Sequence, residues 1–132
     1  IDGGCLCGYI TYEAEVNPEK VAVCHCTDCQ VFASAPFRTS ALVGGDTFRL
    51  VKGEPALYRK TAESGNQRDL AFCDRCGTHL YAAAAGDGPA FYSVRVGVLG
   101  ENAAIEPAGQ LWCQSELPWL SKLPGLRRVE TQ

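Results

Sequence analysis

The cysteine pattern is the feature that most constrains how this chain folds. Seven of its eight cysteines fall into three tight clusters. Thiolates two or three residues apart can converge on one tetrahedral ion about 2.3 Å from each sulfur. They are poor disulfide partners for each other, because a secreted framework spreads its cysteines to close loops. The pattern therefore predicts metal binding in a reducing compartment. The clusters are Cys5-x-Cys7, Cys24-x-Cys26-x-x-Cys29 and Cys73-x-x-Cys76, with Cys113 apart from them.

Composition narrows the class of protein. A length of 132 residues predicts one domain, residues 1–132, and 46 % hydrophobic with 20 % charged residues is typical of a folded soluble protein. No basic stripe offers the phosphate-neutralising surface of a nucleic-acid binder. No apolar stretch approaches the roughly 18 residues of a membrane span, and no charged-then-apolar leader opens the chain. We expect a cytoplasmic protein without nucleic-acid or membrane partners. Since the sequence has no methionine, we also expect a processed or trimmed gene product.

Short alternating segments separated by turn residues predict a β-rich fold. Residues 9–16 alternate between apolar and polar side chains, as a half-buried strand does. The glycine-rich residues 86–89 predict a hairpin. Strands spaced this evenly indicate an antiparallel all-β domain. Two short helical pieces are expected, one directly after Cys26 and one over residues 117–123. Further strands are predicted over residues 21–24, 37–43, 47–51, 56–61, 69–72, 78–84 and 90–98.

Two of the cysteine clusters share a design in which a glycine follows the second cysteine. These glycines are Gly8 and Gly77. Glycine readily takes a positive φ and can turn backbone amides toward the anionic sulfurs. Two such turns that face each other make a closed four-thiolate site, which staples a small β domain. We expect a structural zinc held by Cys5, Cys7, Cys73 and Cys76.

The middle cluster supplies three sulfurs, from Cys24, Cys26 and Cys29, and leaves a fourth metal position to be filled. Structural zinc sites are closed, whereas catalytic sites keep an open position. Function is therefore expected here, with water or substrate as the fourth ligand. The alternative is that Cys113 or His79 completes a second structural site.

Three single residues near these clusters have simpler interpretations. The side chain of His25 points away from its cysteine neighbours in an extended segment, so we expect it to form hydrogen bonds and not to ligate. His79 is expected to be a half-buried strand residue. Cys113 is interpreted as a core thiol.

Zinc is the metal that the donor set favours. Iron is the rival, but common ferredoxin spacings do not match the middle cluster. An all-thiolate pattern without redox accessories favours zinc. Three thiolates around a dication leave one net negative charge, so this zinc would generate hydroxide poorly and suits the binding of a thiol beside a small electrophile. The HExxH, GxSxG and GxxxxGK[ST] motifs of other enzyme classes are absent from the sequence.

Three segments together resemble the glutathione-dependent formaldehyde-activating enzyme family, which has an Mss4-like fold. They are Gly3-Gly4-Cys5-Leu6-Cys7-Gly8, Cys24-His25-Cys26-Thr27-Asp28-Cys29 and Phe72-Cys73-Asp74-Arg75-Cys76-Gly77-Thr78, and the likeness extends over nearly the whole chain. The resemblance implies an antiparallel β architecture of several small sheets with one or two short helices. It also implies two zinc ions, the second expected to be labile. The closed zinc falls on Cys5, Cys7, Cys73 and Cys76, and the open, catalytic one on Cys24, Cys26 and Cys29.

The same resemblance implies a carbon–sulfur lyase. Its substrates would be small thiol adducts such as S-hydroxymethylglutathione, formed from glutathione and formaldehyde. The alternative function is a non-catalytic, zinc-stabilised module that binds a thiol or a protein. An exposed metal with an exchangeable fourth ligand favours the enzyme, and closure of the site by Cys113 favours the module.

The chain departs from the family directly after Cys29. Where the family has a basic pair and a Ser-Gly-Ser-containing loop, this chain has Gln30-Val31-Phe32-Ala33. Glutathione carries two carboxylates, which require cationic partners. Arg38, Arg68 and Arg75 are candidates, but a solvated surface position is expected for each.

Overall fold

The computed structural model describes residues 1–131, and its strands form two sheets. The strands are β1 (Asp2–Gly4), β2 (Thr11–Ala14), β3 (Val21–Cys24), β4 (Arg38–Gly44), β5 (Phe48–Lys52), β6 (Ala56–Thr61), β7 (Gln67–Phe72), β8 (His79–Ala84), β9 (Phe91–Arg95) and β10 (Gly109–Leu111). Three strands form a small sheet in the order β1-β2-β5, and seven form a large sheet in the order β10-β3-β4-β9-β8-β7-β6. The predicted all-β class is confirmed. One α-helix, α1 (Thr27–Ala33), interrupts the strands.

The predicted elements correspond closely to the observed ones. β6 has the predicted bounds, and the helix expected after Cys26 is α1. The hairpin predicted around residues 86–89 joins β8 to β9, where Tyr81 lies opposite Val94. The second helical piece forms as a 3-10 helix, Leu120–Gly125, slightly later than expected. Short 3-10 segments also occur at Pro18–Lys20, Val96–Val98, Asn102–Ala104 and Cys113–Ser115.

Two short strands were not predicted. β1 and β10 have three residues each, and both contain glycine, so neither shows an alternating pattern. β10 pairs parallel with β3, whereas the other strand pairs of the described chain are antiparallel. Long-range docking on β3 fixes β10 in place, and local sequence carries no signal of it.

The core lies between the small sheet and one face of the large sheet. Ile10 and Tyr12 are almost fully buried there, as the alternation of residues 9–16 predicts. Phe48 of β5 stacks on Tyr92 of β9, with ring centroids 4.2 Å apart. Burying such side chains stabilises the fold by roughly 1.5–3 kcal/mol each. The core also includes Cys5, Ala14, Val21, Ala41, Val43, Cys73, Leu80, Val94, Val96 and Leu99.

The opposite face of the large sheet carries polar side chains. Successive strand residues point to opposite faces, and directly paired residues share a face. Val94 and Ala41 pair on the core side, so Arg95 and its partner Ser40 lie on the other side. Cys24 pairs with Arg38 two residues before Ser40 and shares that outer face. This outer face therefore carries both the Cys24 end of β3 and the basic residues Arg38 and Arg95.

The helices found within residues 1–131 lack the length and the continuous apolar composition of a membrane-spanning helix.

Candidate metal centres

The first and third cysteine clusters come together as predicted, although more than sixty residues separate them. The four sulfurs of Cys5, Cys7, Cys73 and Cys76 lie within 4.8 Å of one another. The sulfur of Cys7 is 3.6 Å from that of Cys5 and 3.8 Å from that of Cys73. Sulfurs around a tetrahedral zinc are about 3.8 Å apart, given zinc–sulfur bonds of about 2.3 Å. This donor set fits a closed zinc site.

Matched glycine turns hold the two halves of this four-sulfur group. Gly8 and Gly77 both have φ of +78°, as predicted from their position after the second cysteine. The amide of Gly77 donates to the carbonyl of Cys73 at 2.8 Å, and that of Gly8 donates to the carbonyl of Cys5 at 3.1 Å. The turns therefore present sulfurs from both sides of one small volume.

Thr78 links the two turns, and the sequence interpretation missed it. Its hydroxyl accepts a hydrogen bond from the amide of Leu6 at 3.1 Å. The same hydroxyl lies 3.2 Å from the sulfur of Cys76, to which its proton is free to point. Its side-chain and backbone hydrogen bonds lower the pKa of Cys76 to about 6. The sequence feature that could have identified Thr78 is its position, since a hydroxyl residue directly follows the Cys-Gly turn.

Negative charge is unevenly distributed over these four thiols. The backbone of Tyr9 lowers the pKa of Cys7, but desolvation and the neighbouring thiols outweigh it and raise that pKa to about 11. Cys76 deprotonates readily, and Cys7 resists adding a second charge beside it. A dication at the centre would remove this conflict, which supports the fit to a metal.

The middle cluster lies where β3 ends and α1 begins. Cys24 is the last residue of β3, and Cys26 is the N-cap of α1, with its sulfur accepting the amide of Cys29 at 3.3 Å. The strand-to-helix reversal thus brings three sulfurs within 4.8 Å of one another. These sulfurs form the three-sulfur group.

The pKa values in the three-sulfur group also diverge. Burial raises the pKa of Cys24, but hydrogen bonds from the Cys26 amide, from the two neighbouring thiols and from Arg38 lower it overall. Burial and the adjacent Cys29 raise the pKa of Cys26 to about 12. As in the four-sulfur group, this arrangement fits a bound cation.

No fourth ligand closes the three-sulfur group in the part of the chain that the structure describes. Neither Cys113 nor His79 belongs to it. Cys113 is exposed, so its interpretation as a core thiol was wrong, because the segment after β10 runs over the surface. His79 is half-buried, as predicted, and stacks on Phe32 with ring centroids 4.1 Å apart.

His25 is directed away from the sulfurs, as expected. It is 2 % exposed, and its Nε2 is 2.8 Å from Oε1 of Gln110 in β10. This contact couples β10 to the segment between β3 and α1. Gln30 reinforces it, since Nε2 of Gln30 donates to the His25 carbonyl at 2.8 Å and to the Ser115 carbonyl at 3.0 Å. Gln30 thus joins α1 to the His25 backbone and to the segment after β10.

A cavity of about 490 Å³ adjoins the three-sulfur group. Cys24, Cys26 and Cys29 form part of its wall, and Phe32, Leu70 and Trp112 add apolar surface. Trp112 has a left-handed backbone, with φ of +57°, and the residue remains 55 % exposed. Residues in this conformation are strained and concentrate at functional sites.

Four basic side chains line the same cavity: Arg38, Lys60, Arg68 and Arg95. Arg38 is half-buried, and its Nε donates to the sulfur of Cys29 at 3.2 Å. Nη1 of Arg38 also donates to Oγ of Ser40 at 2.7 Å and to Oγ of Ser93 at 2.9 Å. The expectation of a solvated surface arginine was wrong for Arg38 and for Arg68, because strand alternation turns both into the cavity.

The third candidate, Arg75, is exposed as expected. Its guanidinium lies over the ring of Tyr9, 3.5 Å from the centroid. Arg75 therefore belongs to the surface of the four-sulfur turn and not to the cavity.

Arg95 is a further basic residue of the cavity, and it was not among the arginines identified from the sequence as candidates to bind a carboxylate. It is 9 % exposed, and its Nη1 donates to Oγ of Ser40 at 3.0 Å. Burial lowers its pKa to about 9, and the neighbouring charge of Arg38 lowers it as well. The sequence does carry one indication of its position, because Ser93 and Arg95 alternate near the end of a predicted strand and so lie on the same face of it.

Lys60 connects opposite sides of the cavity. Its Nζ lies 2.7 Å from Oδ2 of Asp28, so an ion pair joins the edge strand β6 to the first turn of α1. The pair bridges the sheet to the helix that carries Cys29, but the side chain of Asp28 is 66 % exposed, so the pair adds little stability.

Comparisons with known proteins agree with this architecture. A family described as glutathione-dependent formaldehyde-activating enzyme matches residues 1–115. An uncharacterized lyase of Schizosaccharomyces pombe is 33 % identical over 82 residues, which are 62 % of this chain and 56 % of that protein. The match thus spans little more than half of the relative's length.

A solved structure supports the fold. The crystal structure of a Rhodobacter sphaeroides protein has a TM-score of 0.64 with this chain at 21 % sequence identity, and the alignment covers 83 % of this chain and 99 % of the other. At this identity, the likeness concerns the fold alone.

Proposed function

Because the chain belongs to the glutathione-dependent formaldehyde-activating enzyme family, we propose that it is a zinc-dependent carbon–sulfur lyase. Its substrate would be a small thiol adduct such as S-hydroxymethylglutathione, made or split in a cytoplasmic, thiol-reducing environment. The family and the lyase relative support a lyase-type enzyme. Eight free cysteines agree with reducing conditions.

The proposal assigns different roles to the two groups of sulfurs. The four-sulfur group would hold a structural zinc that staples the N-terminal turn to the β7–β8 hairpin. The three-sulfur group of Cys24, Cys26 and Cys29 would hold the second ion. When bound there, zinc would supply a soft Lewis acid that favours a thiol in its thiolate form.

The reaction forms two bonds, C–S and O–H, and breaks two, the S–H bond and the π bond of a carbonyl. In the synthetic direction, the thiol sulfur bonds to the carbon of formaldehyde, the π bond of the carbonyl breaks, and the oxygen takes up the proton that the thiol loses. The product carries an S–CH2–OH group, and the reverse reaction cleaves the same carbon–sulfur bond. Atoms and electrons balance without an oxidant or a reductant.

The chain's own residues contribute orientation and exclusion of water. The apolar side chains of Phe32, Leu70 and Trp112 line the cavity beside the three sulfurs. Arg38 orients the sulfur of Cys29 through the 3.2 Å hydrogen bond from its Nε. The observation that carries the proposal is the incomplete three-sulfur group facing a cavity, since catalytic zinc sites keep such a position open.

The test is cobalt substitution followed by titration with glutathione. We expect the thiolate-to-metal absorption to change as glutathione is added, and Cys26→Ser to abolish the change. Cys113→Ser is the matched control, because it removes an exposed cysteine outside both groups. The protein should also accelerate formation of S-hydroxymethylglutathione, followed by NMR. If glutathione leaves the cobalt spectrum unchanged and the protein does not accelerate the reaction, the enzyme proposal fails and a zinc-stabilised binding module is the better description.

A further inference from the structure

Two of the four cations in the cavity have no carboxylate partner. The ion pairs of residues 1–131 are Arg49–Glu13, Arg59–Asp69 and Lys60–Asp28. Lys60 is thus paired, and Arg38 donates to the sulfur of Cys29. Arg68 and Arg95 line the cavity without such a neutralising contact.

The burial of Arg95 makes this arrangement unusual. Burying a charge is costly unless it is paired, and Arg95 is 9 % exposed. The hydrogen bonds to protein groups in the described chain come from Nη1 alone, to Oγ of Ser40 and to the carbonyl of Ser93. Nε and Nη2 make no hydrogen bond to a protein group of the described chain, and Arg95 lines the cavity.

A bound metal does not remove the excess positive charge. Three thiolates around a dication carry one net negative charge, and Arg38 already contacts that centre. The pair of Lys60 and Asp28 is neutral. The charges of Arg68 and Arg95 are left over, so an anionic ligand would be stabilised here.

We infer that Arg95, assisted by Arg68, binds a carboxylate of the thiol substrate, and that the enzyme thereby selects thiols that carry a negative group. The inference rests on the proposed function for the position of the sulfur, which is the three-sulfur group. Ser40 links the sites, because its Oγ accepts from both Arg38 and Arg95, and Arg38 in turn contacts Cys29. A guanidinium forms paired hydrogen bonds with a carboxylate, which adds geometric selectivity to charge.

The cavity has room for such a substrate. Its volume of about 490 Å³ falls within the roughly 300–1,000 Å³ of small-molecule sites. The three guanidinium groups come from β4, β7 and β9 of the sheet, while the sulfurs come from the end of β3 and the start of α1. A molecule with a thiol at one end and a carboxylate at the other would contact both sets of groups.

The experiment compares 3-mercaptopropionate with 2-mercaptoethanol, which has a thiol and no carboxylate. Calorimetry on the zinc-loaded protein measures each Kd. We expect 3-mercaptopropionate to bind about tenfold more tightly or better, as a charge-assisted hydrogen bond allows. Arg95→Met should abolish this preference and leave the Kd of 2-mercaptoethanol unchanged. Arg68→Met provides a second variant if Arg95→Met fails to fold, and it should reduce the preference.

Arg49→Met is the matched control, because Arg49 is an exposed arginine on the small sheet and should not alter the preference. Equal Kd values for both thiols in the wild type would overturn the inference. So would an equal loss of affinity for both thiols in Arg95→Met, which would make Arg95 a counter-charge for the sulfurs.

The cobalt spectrum separates this inference from the proposed function. If the carboxylate preference depends on Arg95 but neither thiol changes the spectrum, the anion site stands and the metal-centred function fails. If both thiols change the spectrum with equal affinity, the proposed function stands and the anion site fails.

Discussion

Nε of Arg38 donates a hydrogen bond to the sulfur of Cys29 at 3.2 Å. Arg38 lies on β4 and Cys29 on α1, so this contact joins the helix to the face of the large sheet. Hydrogen bonds to a ligand atom orient it and tune the metal that it holds. The contact therefore connects the basic cavity to the three-sulfur group.

Arg38→Met should weaken metal binding at the three-sulfur group about tenfold, as loss of an outer-shell partner commonly does. Competition with a chelator measures the affinity of each site. The affinity of the four-sulfur group should not change, and Arg49→Met should alter neither site. Equal weakening of both sites would indicate general destabilisation and count against a specific role for the contact.

Cys73→Ser should lower the free energy of unfolding by about 3 kcal/mol or more, because metal-binding energy at a closed site is folding energy. Cys73 is fully buried in the core, so the variant also loses a packed sulfur. Urea unfolding and zinc content are the measurements. Cys113→Ser serves as the control and should retain both. A Cys73→Ser protein with normal stability and full zinc content would refute the structural site.

The native protein should contain one rapidly reacting thiol, that of Cys113. This cysteine is exposed and outside both sulfur groups, whereas bound metal should protect the others. Titration with a chromogenic disulfide should give one fast equivalent, absent in Cys113→Ser. Denaturant with a chelator should release all eight thiols. Recovery of two or more native disulfides would argue against a reducing compartment.

Gly77→Ala should destabilise the protein by about 1 kcal/mol, because the φ of +78° at this position is unfavourable for a residue with Cβ. Nothing lies within 4 Å of the added Cβ, so strain and not collision is the cause. Gly97→Ala is matched, since it also meets open space but has no positive φ. Thermal unfolding of both variants provides the comparison, and equal effects would contradict the strain argument.

Asp69→Asn should reduce stability at neutral pH by about 1 kcal/mol, because the buried carboxylate accepts hydrogen bonds from Arg59 at 2.9 and 3.2 Å. The hydrogen bonds from Arg59 lower the pKa of Asp69. A carboxyl group whose pKa is lower in the folded state than in the unfolded state stabilises the fold. This stabilisation is complete at pH values above the unfolded-state pKa, near 3.9, and it disappears as the pH falls through the folded-state pKa. The difference from wild type should be constant above pH 5 and shrink below pH 4.

The control for Asp69→Asn is Glu13→Gln. Glu13 also accepts from an arginine across neighbouring strands, but both partners in the Arg49–Glu13 pair are largely exposed. Exposed ion pairs contribute little, so this variant should remain close to wild type in urea unfolding at each pH. A loss equal to that of Asp69→Asn would show that burial is not the deciding factor.

Local spacing was sufficient to predict the four-sulfur group. Cys7 and Cys76 each precede a glycine that adopts the positive φ expected of such turns, and this property belongs to a few consecutive residues. The hairpin between β8 and β9 was predictable for the same reason. Strand alternation likewise identified Ile10 and Tyr12 as core residues.

The cavity could not be predicted from local sequence patterns. Arg38, Arg68 and Arg95 belong to β4, β7 and β9, and their convergence depends on strand order and register, which are long-range properties. A lone arginine in a short strand is equally compatible with solvent, so Arg38 and Arg68 were assigned to the surface. The prediction that Cys113 is a core thiol was wrong for a related reason. Its hydrophobic neighbours in the sequence do not indicate that the segment after β10 lies on the surface.

The sequence by itself determined the chemistry of the ligands: which cysteines cluster, which turns hold them, and that the middle group has three sulfurs. Tertiary structure alone decided that no residue of the described chain closes that group and that a cavity with unpaired guanidinium groups lies beside it. Ligand spacing is set by a few covalent bonds and φ values. The surroundings of a site are set by the packing of strands that are distant along the chain.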